Sequence, residues 1–173
     1  MITEKLYDKD SHIKAFTAKV IDCRKNENGF EVILDKTAFF PEGGGQYADT
    51  GKIGEADIND VQIINGEIVH YADRALNIGE ELCCEINWEQ RFRRMQNHSG
   101  EHIVSGIVHK LYGYENVGFH LDDDVTIDFD GELTREQLID VEKRANEAIY
   151  KNAKFTCEYP DEETLKNLSY RSK

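Results

Sequence analysis

The chain has 173 residues, 39% hydrophobic and 10% aromatic, enough to bury one core and too much for a globally disordered chain. Its net charge is −13, from 34 acidic and 21 basic residues, which excludes a protein that grips nucleic acid with its whole surface. Four cysteines without C-x-x-C spacing, a polar Met1–Asp10 segment and no apolar run near ~18 residues lead us to expect reduced thiols, no membrane span and a cytoplasmic setting.

Ala15 to Cys23 and Phe30 to Leu34 are short apolar, β-branched segments around the turn-rich Asn26-Glu27-Asn28-Gly29, a pattern that predicts a β-hairpin with a longer loop. Between this hairpin and the next lies Thr37-Ala38-Phe39-Phe40-Pro41-Glu42-Gly43-Gly44-Gly45-Gln46, followed by Asp49-Thr50-Gly51. Consecutive glycines let the backbone approach a ligand closely. The lysine and Ser/Thr that complete a phosphate loop do not follow them, and a flexible turn is the plain alternative. Val61–Ile64 and Glu67–Tyr71 flank Asn65-Gly66, a strong two-residue hairpin signal. With Glu81–Ile86, these strands predict a small antiparallel barrel or sandwich before residue 88.

The periodicity then changes. Asn87 can cap a helix from Trp88 to Leu111, and Gly113 ends it. At about 100° per residue, Arg91, Arg94, His98, His102 and His109 share one stripe. Phe92, Ile103, Val104, Ile107, Val108 and Leu111 are expected to supply the apolar surface beside it. Arg91, Arg93, Arg94 and Lys110 form a basic cluster there, which fits either a local RNA contact or ordinary helix-surface charge. Val117–Leu121 and Val125–Phe129 read as strands around an Asp122-Asp123-Asp124 turn. Thr134-x-x-Gln137 is a capping box opening a second helix to about Asn152. Phe155–Tyr159 reads as a further strand, and Pro160 as the start of a short last helix.

His98 and His102, four residues apart on a helix, project from one face with Cβ atoms about 5–6 Å apart, close enough to converge on one metal ion. Three readings stay open on this pair alone: a solvated polar stripe, two zinc ligands, or an H-x-x-E-H protease motif with Glu101 as general base.

The glycine loop followed by H-x-x-x-H resembles the alanyl-tRNA editing family: the editing domain of alanyl-tRNA synthetase and its free-standing relatives. Thr126-Ile127-Asp128-Phe129 and Val141-Glu142-x-x-Ala145-Asn146-x-x-Ile149 are similar to further family segments. The resemblance runs from about Ala15 to the C-terminus. It implies an α+β fold, with a small antiparallel β-barrel over residues 1–87 and an editing domain of helices packed on an antiparallel sheet over 88–173. The implied activity is hydrolysis of mischarged tRNA(Ala), carrying serine or glycine, by a free-standing deacylase. The implied partner is that tRNA, with no DNA and no membrane.

The resemblance implies Thr37 and Gln46 as catalytic or serine-reading residues, and His98 and His102 as zinc ligands. Gly43, Gly44, Gly45 and Arg94 are expected to bind substrate, and His120 is a lesser site candidate. The protease reading recedes, while an inactive tRNA- or synthetase-binding module of the same fold stays open as the alternative. The family's second zinc pair, C-x-x-x-H, would follow Leu168-Ser169-Tyr170-Arg171-Ser172-Lys173, and this chain has none. Cys157 lies ahead of that place with Asp161 four residues on. The expectation is therefore an incomplete site that holds zinc weakly or not at all, because catalytic zinc normally takes three protein ligands.

Overall fold

The computed structural model describes residues 3–121, 125–156, 158 and 160–168. A short β1 (Glu4–Lys5) runs parallel to β4 (Lys36–Thr37). The strands β2 (Ala15–Asn26), β3 (Gly29–Leu34), β5 (Gly51–Ile53), β6 (Ala56–Ile64), β7 (Glu67–Ala72) and β8 (Glu81–Ile86) close into an antiparallel barrel. Its order is β2-β3-β7-β6-β5-β8. Register shifts at Val20/Asp22 and Ile58/Asp60 bend the long strands β2 and β6 so that the sheet can close. Alternating residues point inward, and Val20, Val32, Leu34, Phe39, Ile53, Ile58 and Val61 form a sealed core. Asn65-Gly66 turns the β6–β7 hairpin with positive φ at both residues, 51° and 83°, as a tight hairpin turn requires. The small fragments β1, β4 and β5 carry too few residues for a readable alternation.

Helix α1 (Trp88–Tyr112) leaves the barrel directly after β8. The Asn87 side chain accepts from Gln90 N at 3.4 Å, and Gly113, with φ 75°, closes the other end by donating to His109 O. The face that α1 buries is only partly the apolar one expected: Val108 is buried and Ile103, Val104 and Ile107 are half-buried. Arg91, Glu101, Ser105 and Val108 are buried, whereas Phe92 and Leu111 are 40% and 37% exposed. The helix rests partly on the polar glycine loop, so places next to it go to side chains that bond with that loop. Phe92 instead stacks on Trp88, at 5.5 Å between ring centroids.

The strands β9 (Asn116–Leu121) and β10 (Val125–Phe129) pair antiparallel with Phe119 opposite Ile127. The expected Asp122–Asp124 turn lies outside the described residues. Helix α2 (Arg135–Tyr150) opens with the predicted capping box: Gln137 N donates to Thr134 Oγ1 at 3.3 Å, and Thr134 N to Gln137 Oε1 at 2.8 Å. It lies against α1, with Val141 and Ala145 buried.

Two expectations near the C-terminus need correction. The segment expected as a strand is irregular at Phe155, Thr156 and Glu158, and Phe155 is 54% exposed and pairs with no strand among the described residues. Cys157 and Tyr159 lie outside the described residues. The last helix, α3 (Glu162–Asn167), begins after Pro160, because Asp161 is its cap and accepts from Thr164 N at 2.7 Å. Among the described residues, no helix is long and apolar enough to cross a membrane.

Candidate functional site

The glycine loop is an ordered hairpin rather than a flexible turn. Gly43 and Gln46 exchange two backbone hydrogen bonds of 3.0 Å, and Asp49 N donates to Phe40 O at 2.9 Å. Gly44 and Gly45 cross the tip with φ of 59° and 78°, a left-handed pair that side chains resist. Glu42 N donates to Val61 O at 3.0 Å and moors the loop to β6.

Three side chains of α1 bind this loop. Arg91 and Asp49 form an ion pair with side-chain exposures of 2% and 1%. The same Asp49 oxygen accepts from Phe40 N at 2.7 Å. Arg91 Nη1 also donates to Ala38 O at 3.3 Å. Burial pushes the Asp49 carboxyl up, with Arg91 pulling against it. Arg94 Nη1 donates to Ala48 O, and its guanidinium lies over the Tyr47 ring. Gln90 Oε1 accepts from Thr50 Oγ1 at 2.8 Å. Of the basic cluster, Arg91 and Arg94 thus serve the interior, while Arg93 and Lys110 are exposed.

One turn further on, the loop meets the histidines. Gln46, 5% exposed, places Oε1 3.1 Å from His98 Nδ1. The His98 and His102 rings stack at 5.0 Å and 23°. Phe119 of β9 closes on the pair, 6.0 Å from the His98 ring, and a Cβ on Gly45 would stand 3.0 Å from its Cδ1. Between loop and β9 lies a cavity of about 250 Å³, lined by Glu42, Gly43, Gly45, Gln46, Tyr47, Phe119 and His120. A hollow of about 390 Å³ lined by Thr50, Lys52, Asp57 and Asn87, among others, gathers no histidine. His109 turns away to Glu115, 2.9 Å from it, and His120 faces Asp128 at 3.2 Å.

Thr37 is placed differently from Gln46. Its side chain is fully buried, with Oγ1 2.9 Å from His70 Nε2 and accepting from Phe39 N at 3.1 Å. His70 Nδ1 in turn sits 3.0 Å from Val32 O. Burial lowers the His70 pKa to about 4, so the ring is neutral, donating to Val32 and accepting from Thr37. Thr37 therefore fixes the entry of the loop from inside the barrel and does not line the cavity.

His98 and His102 supply two imidazoles on consecutive turns, which fits half of a tetrahedral zinc site. Among the described residues, no third His, Cys, Asp or Glu joins them in a metal-binding cluster. Asp49, Asn116 and Phe119 carry no functional signal in the sequence, and Glu101 stands out there only as a protease base. A usable signal was present: Glu101, Ser105 and Val108 recur at helical spacing on the buried face, so a carboxylate stands where a core residue belongs.

Residues 4–90 match the family described as tRNA synthetases class II (A). The chain is 34% identical, over 95% of its length, to the alanyl-tRNA editing protein AlaX-L of Pyrococcus horikoshii, and covers 44% of that protein. It is 35% identical to AlaX-M of Saccharolobus solfataricus over 95% of this chain and 72% of the relative. It is 38% identical to the alanine–tRNA ligase of Ignicoccus hospitalis over 88% of this chain and 18% of that enzyme. The chain thus spans under half of AlaX-L and under a fifth of the ligase. With the glycine loop and the H-x-x-x-H helix in contact through Gln46 and His98, this chain belongs to the alanyl-tRNA editing family.

Proposed function

We propose that this chain acts as an editing deacylase, hydrolysing the ester of tRNA(Ala) mischarged with serine or glycine in the cytoplasm. The observation that supports it is the 3.1 Å contact between Gln46 Oε1 and His98 Nδ1, which joins the histidine pair to a residue of the cavity wall. Gln46 gives its oxygen to His98, so its amide hydrogens are the donors offered to a substrate oxygen. Gly43, Gly44 and Gly45 let the acyl group lie close to the backbone. Arg94 braces the loop through Ala48 and so acts on substrate binding through the loop. In this family reading, a zinc ion held by His98 and His102 would polarise the ester carbonyl or lower the pKa of bound water to ~7. With two donors instead of three, this chain by itself holds it weakly.

Preference for serine over alanine follows if the site bonds the serine hydroxyl, since alanine leaves those groups unpaired. Gln46 lines the cavity and is the nearer candidate for that task; Thr37 acts through the loop. The donor count also favours a second reading, a module that binds tRNA without hydrolysing it. A protease reading has no such support: Glu101 is 2% exposed and bonded to Asn116, not turned to a water as a general base must be. The test is incubation with Ser-tRNA(Ala) at saturating zinc. Hydrolysis above the spontaneous rate supports the editing enzyme, and retention of intact Ser-tRNA(Ala) on the protein supports the binding module.

A further inference from the structure

The cavity between the glycine loop and β9 carries more than the recognition of a seryl group requires. The loop gives it Tyr47, 44% exposed, and β9 gives it Phe119. Among the described residues, no aliphatic side chain lines it. Aromatic rings contributed by two walls suit a flat heterocycle, whose faces they stack. The Tyr47 ring is held in place for this. The Arg94 guanidinium lies over it, 5.6 Å from its centroid, and is itself tied to Ala48 O.

The polar groups of the cavity suit the edge of a base and not a phosphate. Glu42 sets a carboxylate in the wall, with Oε2 accepting from Gln62 Nε2 at 2.9 Å. The His120 ring is engaged by Asp128 at 3.2 Å. Carboxylates repel a phosphate and accept from an amino group. Gln46 and Tyr47 are consecutive, yet Gln46 is 5% exposed and turned to His98. A base stacked on Tyr47 thus leaves its ribose beside Gln46.

We propose that this cavity stacks the terminal adenine of tRNA, with Tyr47 and Phe119 against its faces and its amino group donating to Glu42. The inference deepens the editing reading and rests on it for the identity of the RNA. The terminal nucleoside carries the ester, so a base held at Tyr47 delivers that ester to Gln46 and His98.

The test is binding of uncharged, fluorescein-labelled acceptor-stem hairpins of tRNA(Ala) to the parent chain, Tyr47→Leu and Tyr47→Phe. One hairpin ends in CCA; a second has an abasic ribose in place of the last adenosine. The parent should bind the abasic hairpin about 5–100-fold more weakly, the range for loss of one base–aromatic stack. Tyr47→Leu, apolar but without a ring, should bind the two nearly alike, and Tyr47→Phe should restore the difference. A merely structural Tyr47 would weaken both hairpins by the same factor. Equal binding by the parent, or a difference that survives Tyr47→Leu, overturns the proposal. If that variant fails to fold, NMR of the parent decides: the CCA hairpin should shift the Tyr47 and Phe119 ring signals and the abasic one should not, and unmoved rings overturn the proposal as well. A hairpin ending in CCU lacks the amino group that adenine donates. The parent should prefer CCA over it, and Glu42→Ala should narrow the gap; no preference in the parent removes the adenine assignment. Base discrimination in a chain that hydrolyses no Ser-tRNA(Ala) upholds the stacking site and sinks the deacylase reading. Hydrolysis with equal binding of the CCA and abasic hairpins does the reverse.

Discussion

The Asp49–Arg91 pair ties α1 to the glycine loop, and replacing Asp49 by Ala is the sharpest perturbation of that joint. Both side chains are sealed from solvent, at 1% and 2% exposure, and arginine cannot shed its proton to relieve the loss. Asp49→Ala leaves a guanidinium buried with only Ala38 O and the face of Phe40 beside it, and strips Phe40 N of its acceptor. Breaking one side of a buried pair costs about 3–5 kcal/mol. The lost Phe40 bond belongs to the same network and does not simply add. At roughly 2–4 °C per kcal/mol for a chain of this size, the melting temperature should fall by about 6–20 °C. Burial already pushes the Asp49 carboxyl up against the pull of Arg91, which says that the charges are costly to keep here. The double change Asp49→Leu with Arg91→Met should therefore recover most of the loss. Thermal melts of Asp49→Leu, Arg91→Met and the double variant complete a cycle. Single variants within about 1 kcal/mol of the parent, or a double variant equal to their sum, would refute the claim that this pair is the joint.

Neutral His70 makes stability depend on pH. Its pKa falls from 6.5 to about 4 on burial, so the unfolded chain takes up a proton at a pH where the folded chain refuses it. This contribution is whole above pH 6.5 and is lost as pH falls towards 4; at 1.36 kcal/mol per unit it amounts to roughly 3 kcal/mol. Melts from pH 7 to 4.5 should show a shallower slope for His70→Gln, and an identical slope contradicts the assignment. Thr37→Val leaves His70 Nε2 and Phe39 N unpaired, costing about 1–3 kcal/mol, and should slow deacylation of all charged tRNAs alike; a loss confined to serine would put the hydroxyl in the cavity. Gly45→Ala meets both left-handed strain and the Phe119 ring, whereas Gly113→Ala, with φ 75° and no atom within 4 Å, meets strain alone. Each should lose about 1–2 kcal/mol to strain. Only Gly45→Ala should also lose deacylation rate; equal rates for the two would remove Phe119 from the cavity wall.

Much of this was legible because its signals are local. The Asn65-Gly66 turn, the Asn87 and Thr134 caps and the 3.6-residue stripe of α1 each depend on a few adjacent residues, and each stands in the structure. The barrel strand β5 and the short β4 beside it were not readable, since three and two residues carry no alternation. The strand expected at Phe155–Tyr159 had the right residue types, but pairing depends on a partner that local sequence does not specify. At the site, the spacing of His98 and His102 told which face they share but not what stands behind them. Gln46, which meets His98, comes from a loop 52 positions away, and only folding brings the two together. Thr37 and Gln46 are nine positions apart in one motif, yet the loop turns one towards the barrel interior and the other towards the histidines.

The measurement that bears most directly on the central claim compares Ser-tRNA(Ala) and Ala-tRNA(Ala) deacylation by the parent chain and by Gln46→Ala, both at saturating zinc. A single site built from the Gln46–His98 contact predicts faster hydrolysis of the serine ester by the parent. It also predicts a serine rate lowered about fivefold by the variant, the equivalent of one hydrogen bond of ~1 kcal/mol. Serine and alanine esters hydrolysed equally by the parent, or a Gln46→Ala variant with the parent's serine rate, would contradict it.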